Sequence, residues 1–342
     1  MKDLPERVVY TEEAEAELWE MLSKYAYHEN IRRHMEKNGH TDPEPEVLEA
    51  IASAFSQGAE YCLAVRSATL HTAPLLLYYG CTSLLQGTSI LAAGKVPMIR
   101  AHGIEVLVPE ENNTLGSVKL WFRGGEQSAF RFYNETLFPH CFVPYGAEWT
   151  LSEILGSIPD IYSDFLTYFP GSAPSLLPIE AVTLDDDRFD RMRRSVMELF
   201  DDEAEVLGRI AGAKQAYLPP HRTNGYYILR PRLTYEPVSV SALSGQRFLQ
   251  LQNNKNGRLV ALAVAQYHFI ALRVLGFLAR YAPQLWGPFV RSDATGERNL
   301  VERFVRISRR SFPNMVLNII QGETIRFLSP GAMLDSPNGN SG

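Results

Sequence analysis

The chain reads as an α+β protein, predominantly α-helical, with a small antiparallel β-sheet inserted between helical parts. Three observations carry that expectation. From Pro74 to about Gly94 the sequence is apolar nearly all round, which marks a central helix. Between Ile104 and Tyr133, three runs of β-type composition are separated by turn residues. After Gly257 the helical pattern returns, holds to Tyr281 and resumes as far as Gln321. Hydrophobic residues make up 45% of the 342 positions and charged residues 21%, a balance that builds a core and excludes a wholly disordered chain.

In chain order, Glu12 to Tyr27 places Ala16, Leu18, Trp19, Leu22 and Tyr25 close to one helical face. The polar stretch Asn30 to Pro45 then joins this helix to a second, from Pro45 to about Ala68. Pro74 suits the first turn of the third, where no amide partner is needed. The β-type runs are Ile104–Val108, Ser117–Phe122 and Ala129–Tyr133, with turns at Asn112-Asn113 and Gly124-Gly125. Short helices fill Trp149 to Phe169, and Thr150-Leu151-Ser152-Glu153 fits a capping box. Ala181–Leu184 suits a strand, and Arg188–Ala211 a charged amphipathic helix whose N-terminus follows Asp185-Asp186-Asp187. Two more β-type runs lie near Gly225–Arg230 and Pro237–Val240. Pro283 stops the long helix, and Glu297–Ser311 and Pro313–Gln321 form the last two. Residues 1–328 read as one composite unit: helical over 1–100, β-containing over 101–257, helical over 258–328. A flexible Ser/Gly/Asn/Pro-rich tail takes up 329–342.

Net charge is −6, so bulk charge does not make this a polyanion-binding protein, although local basic faces remain open. Cys62, Cys81 and Cys141 are far apart and in no metal-ligand spacing, as expected of reduced thiols in a cytoplasmic protein. The N-terminus lacks the apolar core of a secretory signal. Leu259–Leu278 approaches membrane-span length but contains Gln266, His268 and Arg273; a mid-membrane charge costs about 3 kcal/mol, so a buried core helix is expected and no membrane partner. No phosphate-binding loop, His-Glu-x-x-His, Cys-x-x-Cys or Gly-x-Ser-x-Gly is present, and no cofactor is expected. His28, His34 and His40 recur every six residues, which does not gather them on one helical face for a metal.

Two dense blocks stand out, Pro74-Leu75-Leu76-Leu77-Tyr78-Tyr79-Gly80 and Arg280-Tyr281-Ala282-Pro283-Gln284-Leu285-Trp286, the latter followed by Phe312-Pro313-Asn314-Met315-Val316-Leu317-Asn318. With His102-Gly103-Ile104 and Trp149 to Ile161, they resemble the bacterial YaaC-like family over most of the chain. More distantly, a Tyr-Tyr helix followed by a His-Gly turn is similar to HEPN-type helical domains, which implies a HEPN-like helical core. Those domains occur in bacterial toxin, RNA-processing and phage-defence systems. Their active members are metal-independent ribonucleases with an Arg-x4–6-His motif. Arg66-Ser67-Ala68-Thr69-Leu70-His71 has that spacing, but it precedes the Tyr-Tyr helix, whereas HEPN ribonucleases carry the motif on a later one.

Under that resemblance Arg66 and His71 are candidate catalytic residues, one facing phosphorane charge and the other moving a proton. Five residues apart on a helix they lie about 140° from each other, so a helix break or a homodimer must bring them together. His102 is either a third site residue or an imidazole bonded to a tyrosine hydroxyl or backbone carbonyl. Tyr78 and Tyr79 point about 100° apart, so one can enter the core while the other reaches a groove. Arg303, Arg306 and Arg310 share one helical side and could meet RNA phosphates or an acidic protein partner, while Glu302 sits at pairing distance from Arg298 and Arg306. The expectation is a non-catalytic binding or regulatory subunit of a bacterial multi-protein assembly, in defence or stress response. The alternative is a HEPN-like metal-independent ribonuclease acting on single-stranded RNA.

Overall fold

The computed structural model describes residues 5–108, 114–169, 172, 174–184, 187–200, 203–210, 221–223, 225–229, 238–241, 244–292 and 296–330. The expected turn at Asn112-Asn113, Asp185-Asp186 and all but the start of the expected tail lie outside them. Strand β1 (Glu6–Tyr10) is followed by helices α1 (Ala14–Ser23), α2 (His28–Lys37), α3 (Pro45–Ala64) and α4 (Ala73–Ala93). Strands β2 (Ile104–Val106) and β3 (Lys119–Phe122) precede α5 (Ala129–Leu137), and β4 (Glu148–Thr150) leads into α6 (Leu151–Leu155) and α7 (Tyr162–Tyr168). Next come β5 (Leu176–Leu184), β6 (Asp187–Arg193), α8 (Glu203–Arg209), β7 (His221–Thr223), β8 (Tyr226–Leu229), β9 (Val238–Val240), β10 (Arg247–Gln250), β11 (Asn253–Lys255) and β12 (Arg258–Val260). Helices α9 (Val264–Tyr281), α10 (Pro283–Ser292) and α11 (Arg298–Gln321) and strand β13 (Thr324–Leu328) complete the chain. The fold is α+β and predominantly helical.

The apolar stretch from Pro74 is indeed the centre of the helical part. Helix α4 packs on α3, α9, α11 and α5, and Leu77, Tyr78, Cys81, Leu84 and Ile90 are buried in the main core. Among the described residues it is the one helix long and apolar enough to cross a membrane, and 67% of that window is buried inside the protein. Leu259–Leu278, expected to come nearest to span length, is instead split between strand β12 and helix α9. Gly80 sets the closeness of α3 and α4: a Cβ there would stand 2.8 Å from the Cys62 Sγ.

The β content is larger than the expected single small sheet. Strands β2, β3 and β4 form a three-stranded antiparallel sheet. A six-stranded sheet runs β7-β8-β6-β5-β10-β9 with every neighbouring pair antiparallel, and covers a second, smaller core that includes Leu177, Met192, Tyr227 and Leu249. A hairpin joins β11 to β12. Strands β1 and β13 pair in parallel, from Glu6↔Thr324 to Tyr10↔Leu328.

Several expectations are corrected. Ala129–Tyr133 opens α5 and is not a strand: the Ser128 Oγ accepts from Arg131 N (3.2 Å), capping the helix, and Phe130, Tyr133 and Asn134 share its buried face. Arg188–Ala211 is not one helix. Its first part is β6, in which Asp190 and Met192 are buried; a 3₁₀ segment (Arg194–Leu199) and α8 follow, and residue 211 lies outside the described set. The polar stretch after Asn30 holds α2. Pro313 does not separate two helices, since α11 runs through it with Phe312 and Pro313 both buried.

Buried charges tie distant segments together. The expected capping box at α6 forms, with Thr150 N donating to Glu153 Oε2 (2.8 Å) and Glu153 N to Thr150 Oγ1 (3.3 Å). The same carboxylate receives the Lys255 Nζ at 2.7 Å, and that ammonium lies 4.5 Å from the Trp149 ring centre. At the start of α11, Glu297 is 3% exposed and accepts the backbone N–H groups of Leu115 (2.8 Å) and Gly116 (3.2 Å). Replacing Glu297 by Ala strands two buried donors, so Glu297→Ala is expected to lower unfolding stability by about 3 kcal/mol, read from denaturant midpoints.

His268 on α9 is wholly buried, with its Nδ1 2.9 Å from the Ser308 Oγ. Burial pushes its pKa down to about 3. The unfolded chain then takes up a proton below about pH 6.5 that the folded chain refuses, so His268 removes stability as pH falls. Between pH 6.5 and 5 the stability of wild type should drop more steeply than that of His268→Gln, by a slope that rises to about 1.4 kcal/mol per pH unit at the acid end. Equal slopes in chemical denaturation across that range would contradict this.

Candidate functional site

The polar side chains that converge do so at the margin of α4. Tyr78 enters the core (2% exposed), and its hydroxyl lies 2.9 Å from the His102 Nδ1. His102 sits on the segment leading into β2. Its carbonyl accepts from Phe130 N (3.1 Å), and the Gly103 carbonyl from Arg123 N (2.8 Å). Gly103 adopts φ +84°, and a Cβ there would fall 1.9 Å from the Ser128 Oγ, so the turn demands glycine. His102 therefore makes the tyrosine contact expected of a structural role while standing on a cavity wall.

That cavity, about 770 Å³, is lined by Arg100, His102, Glu105, Arg123, Arg273 and Phe277 among others. Arg273 comes from the middle of α9. Its guanidinium carbon lies 5.6 Å from the Tyr78 ring centre and 5.4 Å from that of Phe277, so two aromatic faces hold the cation. Its Nε is buried without a hydrogen-bond partner. Arg280, one α9 turn pair further on, donates from Nη1 to the Tyr79 hydroxyl, joining the two sequence blocks directly. Enclosure by the cavity wall, then the charges of Arg273 and Arg280, hold the His102 pKa below the usual imidazole value. Burial pushes the Tyr78 hydroxyl up to about 12, although Arg273 opposes the rise.

The other candidates lie elsewhere. Arg66 sits in the turn after α3, its guanidinium 3.0 Å from the Glu15 carboxylate on α1. His71 is exposed, and its backbone carbonyl accepts from the Trp286 Nε1 (3.2 Å). No contact among the described residues joins Arg66 to His71 or either one to His102. On α11, Arg303 pairs with Asp164 (2.6 Å), Glu302 with Arg298 (2.8 Å), and Arg306 and Arg310 are exposed. His28, His34 and His40 each contact a different neighbour: Glu49, Tyr25 and the Ala92 carbonyl. Among the described residues no three His, Cys, Asp or Glu side chains are placed to hold a metal ion. Arg273 is the site residue that sequence reading missed. Its signal was a guanidinium in the middle of a largely apolar helix, where a charge requires a reason.

Helices enclosing an apolar central helix, with small sheets at their margins, define a predominantly helical α+β protein whose polar groups gather at one cavity. The chain belongs to the YaaC-like protein family, whose model matches residues 20–320 and so takes in the whole cavity wall. Comparison with curated proteins and with solved structures found no match.

Gly103→Ala both strains a left-handed backbone position and displaces the cap of α5. It is expected to cost about 3 kcal/mol of unfolding free energy. A variant with the wild-type denaturation midpoint would contradict the geometry at this turn.

Proposed function

We propose that this protein works by binding, as a non-catalytic regulatory subunit of a bacterial, cytoplasmic multi-protein assembly, with stress response or anti-phage defence as its setting. The observation that supports this reading is that His102 and Arg273 line one open cavity while the buried Tyr78 contacts both from behind. A buried hydroxyl needs an acceptor for its single proton, and the His102 Nδ1 is within reach. The lone pair of a neutral imidazole is then spent, which leaves a set of donors rather than a general base. Tyr78 belongs to the first helical part, His102 to the passage into the sheet and Arg273 to the last helical part. An occupant of the cavity touches His102 and Arg273, both of which contact Tyr78, and can bias the packing of all three.

The second reading is a HEPN-like ribonuclease. In its favour is an imidazole close enough to the Arg273 and Arg280 charges to feel both. One experiment separates the two. Full-length protein incubated with single-stranded RNA in EDTA, at several pH values around neutrality, should leave the RNA intact, and a tagged chain purified from its native host should carry a stoichiometric partner. Cleavage that disappears in His102→Ala would establish the ribonuclease instead, and recovery of the protein alone and monodisperse would remove the subunit role.

A further inference from the structure

Three features of the cavity point to one class of ligand. Arg273 carries a full charge, makes no ion pair with any described carboxylate, and has a buried Nε without a partner. A guanidinium stacked between two rings is fixed in direction but retains its N–H fork, the arrangement that recognises planar or tetrahedral oxyanions. With the Tyr78 hydroxyl donating to Nδ1, as argued above, His102 carries its hydrogen on Nε2 of an exposed side chain. Arg100 is a further cation on the same wall, exposed and in contact with the Met98 sulfur (3.6 Å). Two carboxylates also face the space. Glu105 is paired with Arg123, and Glu126 is exposed beside Arg131. Three arginines against two carboxylates leave the lining with an excess of positive charge, while the carboxylates repel a long polyanion. Ile104, Val106, Ala101 and Phe277 supply apolar wall.

We infer that the cavity binds a small molecule with one phosphate or carboxylate head on an apolar or planar body, the head meeting Arg273 and the His102 Nε2–H. A space of about 770 Å³ suits a single ligand of that size. The net charge of −6 and the two lining carboxylates weigh against a nucleic-acid strand. This assignment rests on the cavity being a binding site, as proposed above, and adds the chemistry of its occupant.

The test is calorimetric titration of full-length protein with adenosine 5′-monophosphate and octanoate, each against its uncharged counterpart, adenosine or octanol. At least one anion should bind at least about tenfold more tightly than its counterpart, since a charge-assisted pair is worth that factor or more. Which of the two does so identifies the head as phosphate or carboxylate. Arg273→Lys, which keeps the charge and loses the fork, should weaken that anion at least about tenfold with an unchanged melting temperature. Should the variant not fold, the comparison of charged and uncharged forms on wild type decides alone. Anions that bind no better than their neutral counterparts overturn the inference while leaving a binding cavity. No binding of any of the four, in a protein that is also recovered without a partner, overturns this inference and the wider reading together.

Discussion

Burial of most of the helix Ala73–Ala93 is the constraint on which the rest of the structure depends. A helix apolar on every side cannot rest on a surface, so partners must surround it. Helices α3, α5, α9 and α11 do so, and they come from the beginning, middle and end of the chain. Close approach is possible because Gly80 presents only backbone to Cys62 and Gly276 presents only backbone to Leu75. Two hydroxyls on α4 are satisfied within it, Thr82 and Thr88 donating to the carbonyls of Tyr78 and Leu84. Tyr78 and Tyr79 instead present their hydroxyls to other segments, at His102 and Arg280, and His102 stands on the cavity wall.

Around this helix, the sheets are held by apolar contact and also by charged groups at well-defined points. Glu297 holds the backbone before β3, Lys255 fastens its hairpin to α6 through Glu153, and Arg247 reaches the buried Asp190 in β6 (2.8 Å). A buried charge that loses its partner is strongly unfavourable, so each fastening discriminates against alternative packings of the same segments. Arg273 differs from all three in facing a cavity with only aromatic rings for company.

Much of the helical architecture was legible because its periodicity is unbroken. The start of α3 at Pro45, the extent of α4, the capping box at Thr150 and the stop before Pro283 follow from local chemistry, while α3 ends at Ala64, short of the expected Ala68. What was not legible depends on tertiary context. In α5 the aromatic residues suggested a strand, yet Phe130, Tyr133 and Asn134 follow helical spacing, and a serine cap begins the element. In β6 an aspartate occupies an inward position, so the alternation was disguised until Arg247 could be placed beside it. Pro313 normally interrupts a helix, but here it is buried within one whose neighbours hold it on both sides. At the site, Tyr78 and His102 were visible as motif residues. Arg273 was seen only as a break in an apolar run, because its meaning lies in the helix it faces.

The parallel pairing of Glu6–Tyr10 with Thr324–Leu328 bears on the order in which the molecule can be completed. Its partners are separated by nearly the whole chain, and loop closure over that distance is favourable only after the intervening segments have compacted. During synthesis the first strand leaves the ribosome long before its mate exists, and its backbone donors and acceptors must wait in water. The salt bridges of Arg7 with Glu323 and Arg326 with Glu6 can likewise form only at the end. That small two-stranded ribbon is thus a closing seam, and its formation reports that everything between its strands has already found its place.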